Sequence, residues 1–92
     1  MPKIIQYLAP AYYTFLFDIG YSILQDNPDD REVLAITFEH GRRALWCLED
    51  IGKEDKELSD KVYQLSKQVK EKKITRDDAP YMFPEYQVPP EF

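Results

Sequence analysis

The sequence predicts a small all-α protein, a three-helix bundle formed by a helical hairpin and a third helix, with an extended C-terminal strap. Three observations favour this fold class. Apolar residues recur at helical spacing in three segments, residues typical of helix ends separate those segments, and the C-terminal region is rich in proline and aromatic residues. We therefore divide the chain into a helical bundle, residues 1–74, and a tail, residues 75–92.

The first helix is predicted from Pro10, because proline suits a first helical turn, where its missing N–H has no partner to lose. Residues 1–9 are interpreted as a short helix or an extended arm. Two apolar stripes then lie side by side, one with Phe15, Leu16, Ile19 and Ile23, the other with Tyr13, Phe17, Gly20 and Leu24. This apolar surface is wider than packing on one neighbour requires. The helix is either central in the bundle or exposed to a partner.

The second helix is predicted from Asn27 as N-cap and Pro28 as first helical residue to about Ile51, with Gly52 ending it in a left-handed cap. Its main apolar stripe is Leu34, Phe38, Gly41, Leu45 and Leu48. Glycine inside a helix costs about 1 kcal/mol relative to alanine. Gly20 and Gly41 both interrupt apolar stripes, and we interpret them as marking a close crossing of the first two helices.

The third helix is predicted from near Glu54 to about Lys72, with acidic residues at its start and lysines at its end. Its apolar stripe is narrow and consists of Leu58, Val62, Leu65 and Val69. The other faces are charged, so this helix should cover one side of the core.

Composition and charge exclude several functional classes. A net charge of −5 argues against direct nucleic-acid binding, which needs lysine and arginine. The single cysteine, Cys47, excludes an internal disulfide framework, and no signal peptide is recognised, so a cytoplasmic protein is expected. Residues 4–24 have the length of a membrane span, but Asp18 and Pro10 make a buried helix the better interpretation. The 32% charged residues, with one asparagine and one cysteine, are a weak thermophile signature, which in a chain this small arises equally by chance.

The sequence contains no recognisable catalytic or metal-binding pattern. His40 and Cys47 are the only histidine and cysteine, and seven helical residues place them about 10 Å apart along the axis. The three glycines form no phosphate-binding loop. We therefore predict no catalytic residue, no metal, no cofactor and no enzymatic activity.

The tail supplies the main candidate binding residues, which are Tyr81, Met82, Phe83, Tyr86 and Phe92. Aromatic side chains interleaved with prolines favour an extended segment that docks at little entropic cost. Two interpretations stay open: a strap across the apolar face of the first helix, or a linear motif for another protein.

Two further candidate contacts lie in the helices. Residues 6–13 resemble the sliding-clamp-binding motif, in which a glutamine precedes an aliphatic plug and two aromatics, and the resemblance implies contacts by Gln6, Tyr12 and Tyr13. The resemblance covers eight residues, and the plug position holds Ala9, which is smaller than the motif requires. Separately, Trp46 with Arg42, Arg43 and Tyr63 is a candidate aromatic and basic patch, although partial burial of Trp46 is expected first.

These observations predict an accessory subunit or adaptor that binds a protein partner within a larger intracellular assembly. A DNA replication or polymerase complex is the first candidate assembly, on the clamp-like segment and the thermophile-like composition. The alternatives are an acidic, viral-type inhibitor of a host nucleic-acid enzyme and a self-assembling structural protein. Homo-oligomerisation stays open.

Overall fold

The described residues form three α-helices and no strand. The computed structural model describes residues 3–75 and residue 78, with side chains described from residue 9 onward. The helices are α1 (Lys3–Asp26), α2 (Arg31–Asp50) and α3 (Lys56–Glu71). This confirms the predicted all-α three-helix class. The strap predicted for residues 75–92 lies outside the described residues, apart from Thr75 and Asp78.

The first helix begins earlier than the sequence predicts. It runs from Lys3 without interruption through Pro10, which is buried, so Pro10 is an interior residue and not the first turn. Proline lacks the N–H that would bond to the Gln6 carbonyl, but its fixed φ is itself helical. The apolar segments on both sides therefore continue one helix at the cost of one hydrogen bond.

The second helix begins later than predicted, and its N-cap is Asp30 rather than Asn27. The Asn27 N–H donates to the Ile23 carbonyl at 2.9 Å, so this residue completes α1. The Asp30 N–H then donates to the Asn27 carbonyl at 3.2 Å, and the Asp30 carboxylate accepts from the Val33 N–H at 3.1 Å. Aspartate is as good an N-cap as asparagine, so sequence preference alone does not separate the two.

The second and third helices end in the same hydrogen-bonded motif. After α2, Gly52 has φ +70°, and the Lys53 N–H donates to the Leu48 carbonyl at 2.9 Å. This confirms Gly52 as the left-handed cap. After α3, Lys73 has φ 55°, and the Ile74 N–H donates to the Val69 carbonyl at 2.9 Å. A side chain at such a φ is strained, so Lys73 occupies a position that favours glycine.

The middle helix, α2, lies between the other two and forms the centre of the bundle. Gly41 sits where all three meet, because a β-carbon built on it would lie 2.5 Å from Val62 Cγ2 on α3 and 2.8 Å from Phe17 Cδ2 on α1. Gly20 of α1 likewise lies against Thr37. The α1 contacts advance from Phe17 to Gly20 while their α2 partners go back from Gly41 to Thr37. The two helices therefore run antiparallel. The predicted close crossing at the two glycines is confirmed.

The buried core combines one side of α1, most of α2 and the predicted stripe of α3. All four predicted α3 residues are buried. The core cluster consists of Phe17, Leu24, Leu34, Ala35, Phe38, Ala44, Leu58, Val62, Leu65, Val69 and Ile74.

The C-terminal end of α3 is held against the turn between α1 and α2. The Arg31 guanidinium donates to the Lys72 carbonyl at 2.7 Å and pairs with the Asp78 carboxylate at 3.2 Å. The Lys72 ammonium donates to the Pro28 carbonyl at 2.7 Å. These contacts fix the C-terminal end of the third helix on the hairpin.

Candidate protein-binding surface

One side of α1 exposes four large apolar side chains to solvent. Tyr12 is 53% exposed, Phe15 62%, Ile19 45% and Ile23 42%. Their spacing of three, four and four residues places them on one helical face. We call these four residues the outer face of α1. It is the largest described group of exposed apolar residues on a single helix.

The outer face exists because α1 carries two apolar stripes and packs one of them. Phe17 and Leu24, from the second stripe, are buried against α2, and Gly20 makes the closest approach. α2 is the central helix, so no described element packs over the other stripe. Of the two alternatives predicted for the first helix, exposure is therefore the one observed.

The outer face is large enough to act as a contact surface. It runs about 16 Å along the axis from Tyr12 to Ile23. Taking about 200 Å² for each whole side chain, an aromatic value applied also to the two isoleucines, the four exposed fractions amount to on the order of 400 Å². Patches of this size on a monomer are often functional, whereas apolar residues exposed singly need no explanation.

The charges beside the outer face are acidic. Between residues 9 and 26 the only charged side chains are Asp18 and Asp26, and both are exposed. The nearest recorded lysine on the α3 side is Lys61, which lies over the Tyr21 ring at 5.2 Å and pairs with Glu57 at 3.3 Å. A binding partner would therefore meet an apolar strip flanked by carboxylates.

A second, smaller surface surrounds Trp46 on α2. Trp46 is 53% exposed rather than partly buried as first expected, and the Arg43 guanidinium lies over its ring at 5.1 Å. Arg42 contacts the Phe38 ring in the same way at 5.7 Å. Tyr63 belongs to α3, where Lys67 lies over its ring at 4.8 Å. The structure thus brings Trp46, Arg42 and Arg43 together.

A buried carboxylate orders the two arginines of this patch. Glu39 is 1% exposed and lies 3.4 Å from Arg42 Nη1 and 3.6 Å from Arg43 Nε. Burial raises the pKa of Glu39 above its usual value, and the two nearby guanidinium groups offset part of that rise. Glu39 and Arg42, together with Leu45, Trp46 and Glu49, line an open groove of about 280 Å³.

His40 and Cys47 have pKa values shifted mainly by burial. Burial lowers the pKa of His40 and so favours its neutral form. Burial also raises the pKa of the Cys47 thiol, with Asp50 adding to the rise and Arg43 opposing it. A raised pKa makes a thiol less nucleophilic at neutral pH.

The remaining predicted contacts have different positions. Tyr81, Met82, Phe83, Tyr86 and Phe92 lie outside the described residues. Gln6 belongs to α1, but its side chain is not among those described. Tyr12 is exposed on the outer face, whereas Tyr13 packs against the core, with the two rings in edge contact at 5.5 Å.

Sequence reasoning left three outer-face residues, Phe15, Ile19 and Ile23, out of the candidate binding set. The signal was present, because their stripe is evident from spacing. Periodicity alone does not tell which of the two apolar stripes faces the core, but Gly20 marks the stripe that approaches α2, so the other stripe could have been named as exposed.

The described residues form neither a metal site nor a membrane-spanning helix. No three His, Cys, Asp or Glu side chains in this part of the chain are grouped so that they could hold a metal ion. Over the same residues, none of the helices combines the length and apolarity needed to cross a lipid bilayer.

Comparison with known proteins gives no relative: no family model, no curated protein and no solved structure matches the chain.

Proposed function

We propose that this protein is a non-enzymatic adaptor or accessory subunit that binds a protein partner through the outer face of α1. The observation that carries the proposal is the exposure of Tyr12, Phe15, Ile19 and Ile23 on one helical face. Burying apolar surface is the main favourable contribution to protein association. Keeping four such side chains in water weakens solubility and invites aggregation, so a binding role accounts for them best.

The Trp46 patch supports the same class of function. Tryptophan, tyrosine and arginine dominate the binding energy of many protein interfaces. Trp46 is exposed beside an arginine whose position is fixed by the buried Glu39. A pre-positioned arginine loses less side-chain entropy when a partner binds. We assign this patch a secondary contact role.

The assembly we propose is intracellular and cytoplasmic. A DNA replication complex is the first candidate, on the resemblance of residues 6–13 to the clamp-binding motif. The net charge of −5 favours contact with a protein component of such a complex over contact with its nucleic acid.

Self-assembly is the second candidate, because another copy of the chain is an alternative occupant of the outer face. Both candidates place the contact on the same four residues. They differ in the mass of the purified protein: an adaptor is monomeric alone, whereas a self-assembling protein has a concentration-dependent mass.

Photo-crosslinking in the native cells tests the proposal. A benzophenone amino acid is placed at Phe15, and in a matched chain at Tyr63, an equally exposed aromatic on α3. We expect one discrete crosslinked species from position 15, absent from position 63, and lost when Ile19 is also changed to Gln. A crosslinked dimer of the chain would favour self-assembly, and equal labelling from both positions would overturn the proposal.

A further inference from the structure

We propose that the outer face of α1 accepts an amphipathic helix of the partner protein, with lysine or arginine beside the partner's apolar stripe. The inference rests on the proposed function and adds two properties of the partner: its secondary structure and the sign of its charge. Both follow from the shape of the outer face and from the residues beside it.

The shape of the outer face suits a helix. Its four side chains form a ridge on a convex helical surface, with intervals of three and four residues. Ridges of this spacing interdigitate with the same ridges on another helix. The length of about 16 Å corresponds to three helical turns, the usual extent of helix recognition through side chains at i, i+3 or i+4, and i+7. An extended strand would instead need a free sheet edge, and the described residues form no sheet.

The acidic residues beside the outer face determine which charge the partner carries beside its apolar stripe. Asp18 and Asp26 are exposed, and residues 9–26 contain no lysine or arginine. Complementary charge across an interface steers association and suppresses wrong partners. Lysine or arginine on the partner's flanks would pair with these carboxylates, whereas acidic flanks would be repelled by them and by the net charge of −5.

Charge and area disfavour a stable dimer of the chain as the occupant. A second copy would bring the same acidic side chains, Asp18 and Asp26, and no lysine or arginine from residues 9–26, so it offers no complementary charge. The outer face offers on the order of 400 Å², which is less than the roughly 800 Å² per partner of a stable dimer and falls among weak, transient contacts.

Peptide binding to the full chain tests the inference. The first probe is a designed helical peptide of about 18 residues, long enough to keep some helix in water, with leucines on one face and lysines beside them. The second probe replaces the flanking lysines with glutamates, and the third scrambles the first so that its apolar face is lost. Dissociation constants are measured by fluorescence anisotropy at low and at physiological salt.

We expect the lysine-flanked peptide to bind about tenfold more tightly than either other peptide, with salt weakening it. Ile19→Gln should weaken binding about tenfold, since one apolar side chain no longer docks, whereas the α3 control Tyr63→Gln should not. Asp18→Lys with Asp26→Lys should reverse the preference toward the glutamate-flanked peptide.

Other outcomes separate the inference from the proposed function. Equal binding of the lysine-flanked and scrambled peptides would show non-specific charge attraction and overturn the inference. Equal binding of the two helical peptides would overturn its charge component. Crosslinking from position 15 without binding of any helical peptide would overturn the inference that the partner segment is a helix, while the proposed function stands. A dimer dissolved by Ile19→Gln would make a second copy the occupant, and an intramolecular crosslink from position 15 to residues 79–92 would make the C-terminal tail the occupant.

Discussion

Gly20 on α1 lies directly against Thr37 on α2, so closely that a β-carbon on Gly20 would overlap the Thr37 hydroxyl. It would also lie 3.0 Å from Cβ and 3.1 Å from Cγ2 of Thr37, so turning the threonine side chain brings no relief. Thr37 is fully buried, which leaves it no room to move away. This contact sets how near α1 comes to α2, and thereby which side of α1 faces the core.

Gly20→Ala should therefore destabilise the protein, although alanine is the better helix former. Helix propensity alone predicts that the free energy of unfolding rises by about 1 kcal/mol. Overpacking of a buried site costs about 1–3 kcal/mol, and we expect a net loss of about 1 kcal/mol in the free energy of unfolding. Urea denaturation measures it. Combining Gly20→Ala with Thr37→Ala should recover part of the loss, and a stabilised single variant would contradict the close contact.

Lys73→Gly should stabilise the protein by about 1 kcal/mol, because Lys73 has φ 55°, where glycine carries no steric penalty. Removing a lysine near a helix C-terminus also removes a favourable charge, so Lys73→Ala serves as the control for that loss. The informative quantity is the difference between the two variants in thermal or urea unfolding. If glycine and alanine at position 73 give equal stability, the strain at this residue is absent.

The buried neighbours Glu39 and His40 predict opposite dependences of stability on pH. Burial lowers the folded-state pKa of His40, so its unfolded form takes up a proton first and stability falls as the pH drops below about 6.5. Burial raises the folded-state pKa of Glu39, so stability falls as the pH rises above about 4.5.

Single variants separate these two contributions. Below about pH 6.5, His40→Gln should remove the loss of stability on the acidic side, and above about pH 4.5 Glu39→Gln should remove the loss on the basic side. The free energy of unfolding is measured for each variant at several pH values spanning these two limits. Unchanged pH profiles in both variants would show that neither group changes its pKa on folding.

The sequence predicts the helices better than it predicts their ends or their exposed faces. Because the apolar stripe of α3 is narrow, it indicates a single buried side of the helix, and all four predicted residues are buried. Gly52 was predictable because a left-handed cap favours glycine so strongly. The N-cap of α2 was not, because Asn27 and Asp30 have equal preferences and the turn contacts decide between them.

The candidate site was only partly predictable for a related reason. Spacing reveals both apolar stripes of α1, and Gly20 indicates that its own stripe faces α2, but neither tells whether another element covers the remaining stripe. Exposure of Trp46 was likewise undetermined, since it flanks the main stripe of α2, where a small rotation of the helix decides burial.

The central claim is that the outer face of α1 is exposed in the folded chain and serves binding rather than stability. The free energy of unfolding of the double variant Phe15→Gln and Ile19→Gln tests it most directly, with Phe17→Ala as the core control. We expect the double variant to stay within about 1 kcal/mol of the parent and Phe17→Ala to lose about 3–5 kcal/mol. A loss in the double variant as large as that of Phe17→Ala would contradict the claim, because it would place the outer face in the folded core.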